Sequence, residues 1–422
     1  MANYNGAVSV NPARFRTMAD ALNATSRPIV YQICQWGVGE NIRQFAELSN
    51  SYRMSNDIQN NWKSIWRIAN QIPPLVKWIK PGAYADMDML TYVTYLPMRS
   101  RLATFPSDGT KAHWHISFSV GLKALSIEQE KFHFGLWAIE KSPLIIGAAM
   151  TSISQASLDI LMNKEIIAIN QDPLGAAAAL VRRYSQEQYD VWAGPLSGDR
   201  MVLAVSNWNT ASTSVSVNLA SVLNVASADA RDVWAKVDTR LNGTYIATLA
   251  GYQLKVIVLS NIVKSATAEK SVGYYFATAA QLSGSAKTQS CSSSQCLPGN
   301  KKVVMGNSGR VAFSNVSGGS RGGKKVVGVN FIQYDVALGS AWADGVSVRS
   351  MAVQVNSGTV KTWQWPIAGG SWHETGRLNI ELEGLYAGAN NTIVFSTSAA
   401  GPDLVGLEVF ELVGVFGQRD RL

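Results

Sequence analysis

The sequence predicts a multidomain fold, with an α/β portion over residues 1–175, an antiparallel β domain over 176–262 and a β-sandwich over 273–414. Three observations lead there. Up to residue 175, short apolar runs alternate with stretches of helical period, and acids stand where a run gives way to a helix. From residue 176 the pattern becomes the period-two alternation of half-buried strands. The polar stretch VKSATAEKSV, 263–272, divides that second half in two and reads as a linker.

The 422 residues give room for two or three domains of ordinary size. At 47% hydrophobic and 16% charged, the chain is a packed globular protein rather than a disordered one. Lys+Arg of 37 against Asp+Glu of 29 leaves +8, but the basic residues are scattered and form no nucleic-acid motif, which argues against such a partner. No apolar run reaches the roughly 20 residues that span a bilayer, so no membrane partner is expected. The opening MANYNGAVSV lacks the basic start and apolar core of a secretory signal, whereas sequons at Asn23, Asn242, Asn315 and Asn390 lean toward a secretory origin. Cys291 and Cys296 flank SSSQ and are close enough for a small disulfide loop in an oxidising compartment. Cys34 is left over and reads as a small apolar residue on a buried strand.

Taken in order, NPARFRTMADALNATSRP sets Phe15, Met18, Ala19 and Leu22 at helical spacing until Ser26-Arg27-Pro28 stops it. A buried strand follows at Ile29–Cys34, then a Gly-bearing loop, a second strand at Tyr52–Ser55, and Asp57 directly before a helix. An acid there has two readings. β/α barrels set reactive groups at the C-terminal ends of their strands, and Asp is a preferred helix N-cap, the commoner role on spacing alone. The helix behind it lines up Ile58, Trp62, Ile65, Trp66, Ala69 and Ile72 until a Pro pair ends it, a face that reads as core. GAYADMDML repeats the strand-end acid with Asp86 and Asp88, as site residues or as caps of the next turn.

Residues 91–119 follow no period and hold His113 and His115. An H-x-H pair invites a metal, but no third ligand is evident and none is assigned. Ser126 and Gln129 form a capping box for a helix running through FHFGLWAIEK to Pro143, with His133 packed or half-exposed within it. PLIIGAAM reads as a strand, and SLDILMNKEIIAINQDPLG as a helical segment ending in a turn at Asp172-Pro173. The first β region follows with QYDVWAGPL, MVLAVSNWN, TSVSVNL, TYIATLA and KVIVLSN, and the second with RVAFSNVSG, KVVGVNFIQYDV, RLNIELEG and NTIVFST.

Five blocks, YQICQWG, SYRMSNDI, DMDML, FHFGLWAIEKSPLIIG and IIAINQDPLG, resemble in that order the α-galactosidase (melibiase) family of retaining glycoside hydrolases, family 27, across most of residues 2–262. The resemblance implies a (β/α)8 TIM barrel followed by an antiparallel β domain. It also implies hydrolysis of terminal α-galactose from galacto-oligosaccharides and galactomannans with no metal or organic cofactor. Asp57 takes the role of general acid/base by resemblance, and Arg53, Gln35, Trp36, Asp88 and Met89 line the pocket, with Asp86 structural. Residues 91–119 interrupt the family pattern as an insert or a translated intron. The second β region resembles the family-35-type carbohydrate-binding modules of fungal α-galactosidases. Phe276 and Val405 stand where such modules carry calcium-supporting acids, which speaks against a calcium site. Trp342, Trp363, Trp365 and Trp372 are sugar platforms or sandwich core.

Retaining glycosidases need two carboxyl groups about 5–5.5 Å apart. The resemblance puts the nucleophile in a KYDNC-like block at or before Met1, and four barrel strands are countable: IVYQIC, SYRMS, GAYAD and PLIIGA. The expectation is therefore the C-terminal half of a barrel, N-terminally truncated and inactive as it stands, from a full-length form that is secreted. Two further readings stay open. One is a non-catalytic carbohydrate-binding protein. The other is the same enzyme type acting on α-N-acetylgalactosamine or β-L-arabinopyranose, with the pocket near Gln35 deciding.

Overall fold

The computed structural model describes residues 13–37, 42–91, 125–148, 150–151, 153–334 and 346–414. At its N-terminal end three three-residue strands, β1 (Gln32–Cys34), β2 (Ser51–Arg53) and β3 (Tyr84–Asp86), pair in parallel in that order. Helix α1 (Ala13–Ala24) precedes them, and α2 (Ile42–Leu48) and α3 (Trp62–Ala69) make the crossovers that parallel pairing requires. α1 buries Phe15 and Ala19, but Met18, predicted on the same face, is exposed. β1 is shorter than the apolar run behind it: the N–H of Tyr31 donates to Asn50 Oδ1 (2.8 Å) instead of to a strand, and Ile29 and Val30 stay exposed.

α3 bears out its reading as core. Trp62 packs on Phe132 and Tyr252, and Trp66 stacks on Trp208 with ring centroids 4.9 Å apart. Its N-cap is Asn61, whose side chain accepts the N–H of Ser64 (2.9 Å), so Asp57 is not a helix cap. α4 (Ile127–Ile139) opens on the predicted capping box, and its His133 is fully buried against Trp137.

Among its described residues, PLIIGAAM does not form the predicted strand. It makes one parallel bridge, Ile146 to Leu90, through the N–H groups of Leu90 and Gly147. Asp88 has φ +79°, which turns the chain out of β3 and brings only Leu90 back into register. The helical stretch after it divides into α5 (Gln155–Leu161) and α6 (Lys164–Asn170), because Asn163 caps the second by accepting from Glu165 and Ile166. Asp172 does serve a turn, taking the N–H of Leu174, and it also takes the N–H and hydroxyl of Ser197, tying this portion to the next.

The β domain comprises β4 (Ala179–Tyr184), β5 (Tyr189–Leu196), β6 (Arg200–Asn207), β7 (Thr213–Asn218), β8 (Val225–Asp232), β9 (Val237–Asn242), β10 (Thr244–Leu249) and β11 (Leu254–Lys264). Six of them form the sheet β4-β5-β6-β11-β8-β9, and β7 pairs with β10. The sandwich comprises β12 (Thr267–Phe276), β13 (Gln281–Ser283), β14 (Lys287–Ser290), β15 (Lys301–Val304), β16 (Arg310–Val316), β17 (Gly323–Ile332), β18 (Arg349–Val355), β19 (Lys361–Trp365), β20 (Gly376–Leu385), β21 (Asn391–Ser396) and β22 (Asp403–Gly414). One sheet runs β14-β15-β22-β17-β20 with β12 added on β22, and the other β13-β16-β21-β18-β19.

The predicted linker at 263–272 is not free chain. β11 runs to Lys264 and β12 starts at Thr267, leaving two residues between them. Its polar side chains have partners, as with Glu269 and Arg182 (2.6 Å). Trp363 and Trp365 are sandwich core, while Trp372 is half-buried under Arg349 (4.6 Å). Trp342 lies outside the described residues. Val405 packs with Ile332 and Cys296, and the Cys291–Cys296 disulfide is formed.

One buried side chain joins all three units. Arg183 of β4 holds Asp190 through Nε (2.8 Å) and Nη2 (2.6 Å), donates to Asn70 Oδ1 (2.9 Å) behind α3 and to Gln364 O (3.3 Å) of β19, and lies over Trp66.

Candidate active site

The parallel register puts Cys34, Arg53 and Asp86 opposite one another at the C-terminal ends of β1, β2 and β3. Residues paired in this way present their side chains on one face of the sheet. Arg53 is the centre of the cluster: its Nη2 lies 2.6 Å from Asp88 Oδ2 and 2.9 Å from Asp57 Oδ1. The two carboxylates differ in access, with side-chain exposures of 5% for Asp88 and 58% for Asp57.

Asp88 is engaged on every side. It accepts the N–H groups of Ile58 (2.7 Å) and Met89 (2.7 Å), while Trp137 Nε1 donates to its backbone carbonyl (2.8 Å). Asp86 accepts the side-chain amide of Gln32 and the N–H of Asp88 (2.8 Å), so it caps the turn that delivers Asp88. Burial pushes both carboxyls up, and the Arg53 charge opposes it.

The remaining residues expected to line the pocket gather at the same strand ends. Gln35 is fully enclosed, Trp36 is half-buried with φ +65°, and Met89 is exposed. Gly37, next in the chain, accepts through its carbonyl from the Tyr334 hydroxyl of the sandwich (3.3 Å). His113, His115 and nearly all of 91–119 lie outside the described residues. Among the described residues no group of three or more His, Cys, Asp and Glu side chains is arranged to hold a metal ion.

Two site residues escape a reading of the sequence. Arg67 of α3 is buried beneath the loop that carries Asp57, donating to the Asp57 carbonyl (3.2 Å), Ser55 Oγ (3.1 Å) and Ser64 Oγ (3.0 Å). Burial lowers its guanidinium to about 10, against the pull of Asp88. The only signal was its position between Trp66 and Ile68, both apolar. Cys34 is the other: half-buried rather than buried, it lies in the row with Arg53, and burial raises its thiol while Arg53 opposes the rise.

Comparison with known proteins places these features. The family model described as Alpha galactosidase A matches residues 3–98 and 109–172, leaving 99–108 between its two parts, and that for the Alpha galactosidase C-terminal beta sandwich domain matches 186–259. The curated protein "Probable alpha-galactosidase D" of Aspergillus fumigatus is 30% identical over 514 aligned positions, covering 97% of this chain and 74% of its own length. Alpha-galactosidase I of Mortierella vinacea superimposes with a TM-score of 0.50 at 22% identity over 60% of this chain and 64% of that one. The Saccharomyces cerevisiae α-galactosidase solved with raffinose gives 0.50 at 22% identity over 60% and 68%. At that identity the likeness to the two solved structures concerns the fold alone.

Proposed function

This chain belongs to the α-galactosidase family, and on that premise we propose that it acts on terminal α-D-galactose of galacto-oligosaccharides and galactomannans, with Asp57 as the general acid/base. One observation carries the reading: Asp57 is the exposed carboxylate at a parallel strand end, held at 2.9 Å by an arginine whose charge a buried Asp88 already balances. Arg53, Met89 and the Trp36 loop then form the wall met by the sugar. The Arg67 contact fixes the backbone from which Asp57 projects, so that its carboxyl is aimed rather than free to wander.

A retaining mechanism asks for a second carboxyl about 5–5.5 Å from the first. Among the described residues of the cluster, Asp86 and Asp88 are both committed to backbone N–H groups, and neither is free to attack. That favours keeping the second reading, a carbohydrate binder without turnover, beside the first. The α/β portion corresponds in this reading to the C-terminal half of a (β/α)8 barrel, and the sandwich to a carbohydrate-binding module. The four sequon asparagines are all exposed, in keeping with secretion and glycosylation.

The test is raffinose, with galactose release and binding measured on the same preparation. Hydrolysis that falls by about 10²–10⁴-fold in Asp57→Asn, with binding kept, establishes the acid/base role. Binding without hydrolysis selects the second reading. Equal hydrolysis by both forms removes Asp57 from the chemistry.

A further inference from the structure

Away from the Arg53 cluster, the α/β portion and the sandwich enclose a cleft of about 720 Å³. Arg43 and Trp78 line one side, and Pro298, His373 and Thr375 the other, with Asn330 of β17 between sandwich strands. A cavity of this size falls within the about 300–1,000 Å³ range of small-ligand sites.

Two buried polar atoms in it lack a protein partner. Asn330 is 8% exposed; its Nδ2 donates to the Tyr274 hydroxyl (3.2 Å), and its Oδ1 has no donor. Thr375 Oγ1 is buried and likewise unmatched. A buried polar group left this way costs about 1–3 kcal/mol, and in a folded protein it calls for an explanation.

The charges of the cleft narrow the class of occupant. Lys77 lies 2.5 Å from Glu374, Arg377 2.7 Å from Glu408 and Arg43 3.9 Å from Glu47, so each cation already faces a carboxylate. An anion would find no uncompensated positive charge. Beside them, the exposed Leu297 offers an apolar face, and the half-buried Trp78 carries Arg43 (5.1 Å) and Lys77 (5.4 Å) over its ring. Hydroxyl donors opposite Asn330 and Thr375, with C–H groups opposite Leu297 and the Trp78 side chain, describe a sugar ring.

We propose that this cleft is a binding site for a neutral polysaccharide chain, shared between the α/β portion and the sandwich and separate from the Arg53 cluster. It takes its ligand class from the reading given above and adds to it the place and the residues. Neither unit alone makes the site, because Arg43, Lys77 and Trp78 come from one and Asn330, His373 and Thr375 from the other.

The experiment uses the full chain, with galactomannan and the acidic polymer polygalacturonate as probes in calorimetry. Trp78→Ala and Asn330→Ala should each weaken galactomannan binding by about tenfold or more, an effect of about 1.4 kcal/mol. Should Asn330→Ala fold poorly, Trp78→Ala on the opposite wall gives the same answer. In the unaltered chain, saturating galactomannan should slow modification of His373 by diethylpyrocarbonate, read by peptide mass. Unchanged affinity in both folded variants, unprotected His373, or preference for polygalacturonate overturns the proposal. Galactomannan binding through the cleft with raffinose neither bound nor cleaved would sink the α-galactosidase reading and leave the cleft standing. Raffinose cleavage with binding indifferent to Trp78 would do the reverse.

Discussion

In the α/β portion, three strands of three residues each carry a cluster of buried ions, and Val30 beside them is 81% exposed. In the sandwich, strands of up to twelve residues close around Trp365, Phe331, Phe395 and their neighbours, and the buried ions pair off one to one, as Lys302 with Asp403 (2.8 Å) and Lys325 with Glu411 (2.8 Å). Arg53, Arg67, Asp86, Asp88, His133, Glu140 and Lys141 are all enclosed or nearly so in the first region. The difference separates a region built around charge from one built around packing. Buried charge is costly and its removal leaves a partner stranded, whereas a packed sheet core spreads its stability over many contacts.

The largest test of that contrast is Arg53→Met. Removing the guanidinium leaves Asp88 buried without its cation, at a cost of about 3–5 kcal/mol by urea unfolding. Lys325→Met should cost less, about 1.5–3 kcal/mol, because Lys325 is matched to Glu411 whereas Arg53 holds both Asp88 and Asp57. Equal losses would erase the distinction between the two regions.

Acid should separate them next. Burial holds His133 at about 3, below its ordinary 6.5, so its contribution to stability is present above pH 6.5 and is lost as pH falls from 6.5 toward 3. Lys325 and the Ser320 donors hold Glu411 at about 2, so that contribution is present above 4.5 and is lost only between 4.5 and 2. Calorimetry across this range should show the α/β portion losing the His133 contribution first, and His133→Gln should remove that loss between pH 6.5 and 4.5. Glu140 runs the other way: burial raises its carboxyl well above 4.5, and its contribution fades as pH rises through that raised value. A single transition that shifts uniformly with pH would show the regions to unfold as one body.

The smallest effect concerns Asp57. Its side chain is mostly exposed, so Asp57→Asn should change stability by no more than about 0.5 kcal/mol even where it removes turnover. A stability loss above that would show the Arg53 contact to be structural.

Local signals carried much of the architecture. The capping box at Ser126 and Gln129, the tryptophan face of α3, the strand-end acids and the Cys291–Cys296 pair depend on neighbours a few residues apart, and all four are formed. What the sequence hid depends on register and on distant partners. Cys34 joins the Arg53 row only because β1 and β2 pair without a stagger. Arg67 reaches the Asp57 loop from the second turn of α3. PLIIGAAM had the composition of a strand, but the turn at Asp88 leaves it only Leu90 to pair with. VKSATAEKSV had the composition of a linker, and a whole length of β22 waiting opposite made it a strand.

That last feature has a bearing on how far the molecule can reach. Binding modules hung on flexible chain search a volume around the enzyme they serve and gain by local concentration. Here Ser265 and Ala266 are all that separates β11 from β12, and Ser265 is itself pinned through its N–H to Asn224 O (3.0 Å). The sandwich cannot swing on such a short tether, and Arg183 clamps it from the side. On the proposed reading, a polysaccharide caught in the cleft would be held at one fixed span from Asp57, so that the spacing of branches along the polymer, rather than its bulk concentration, would set which branch reaches that residue.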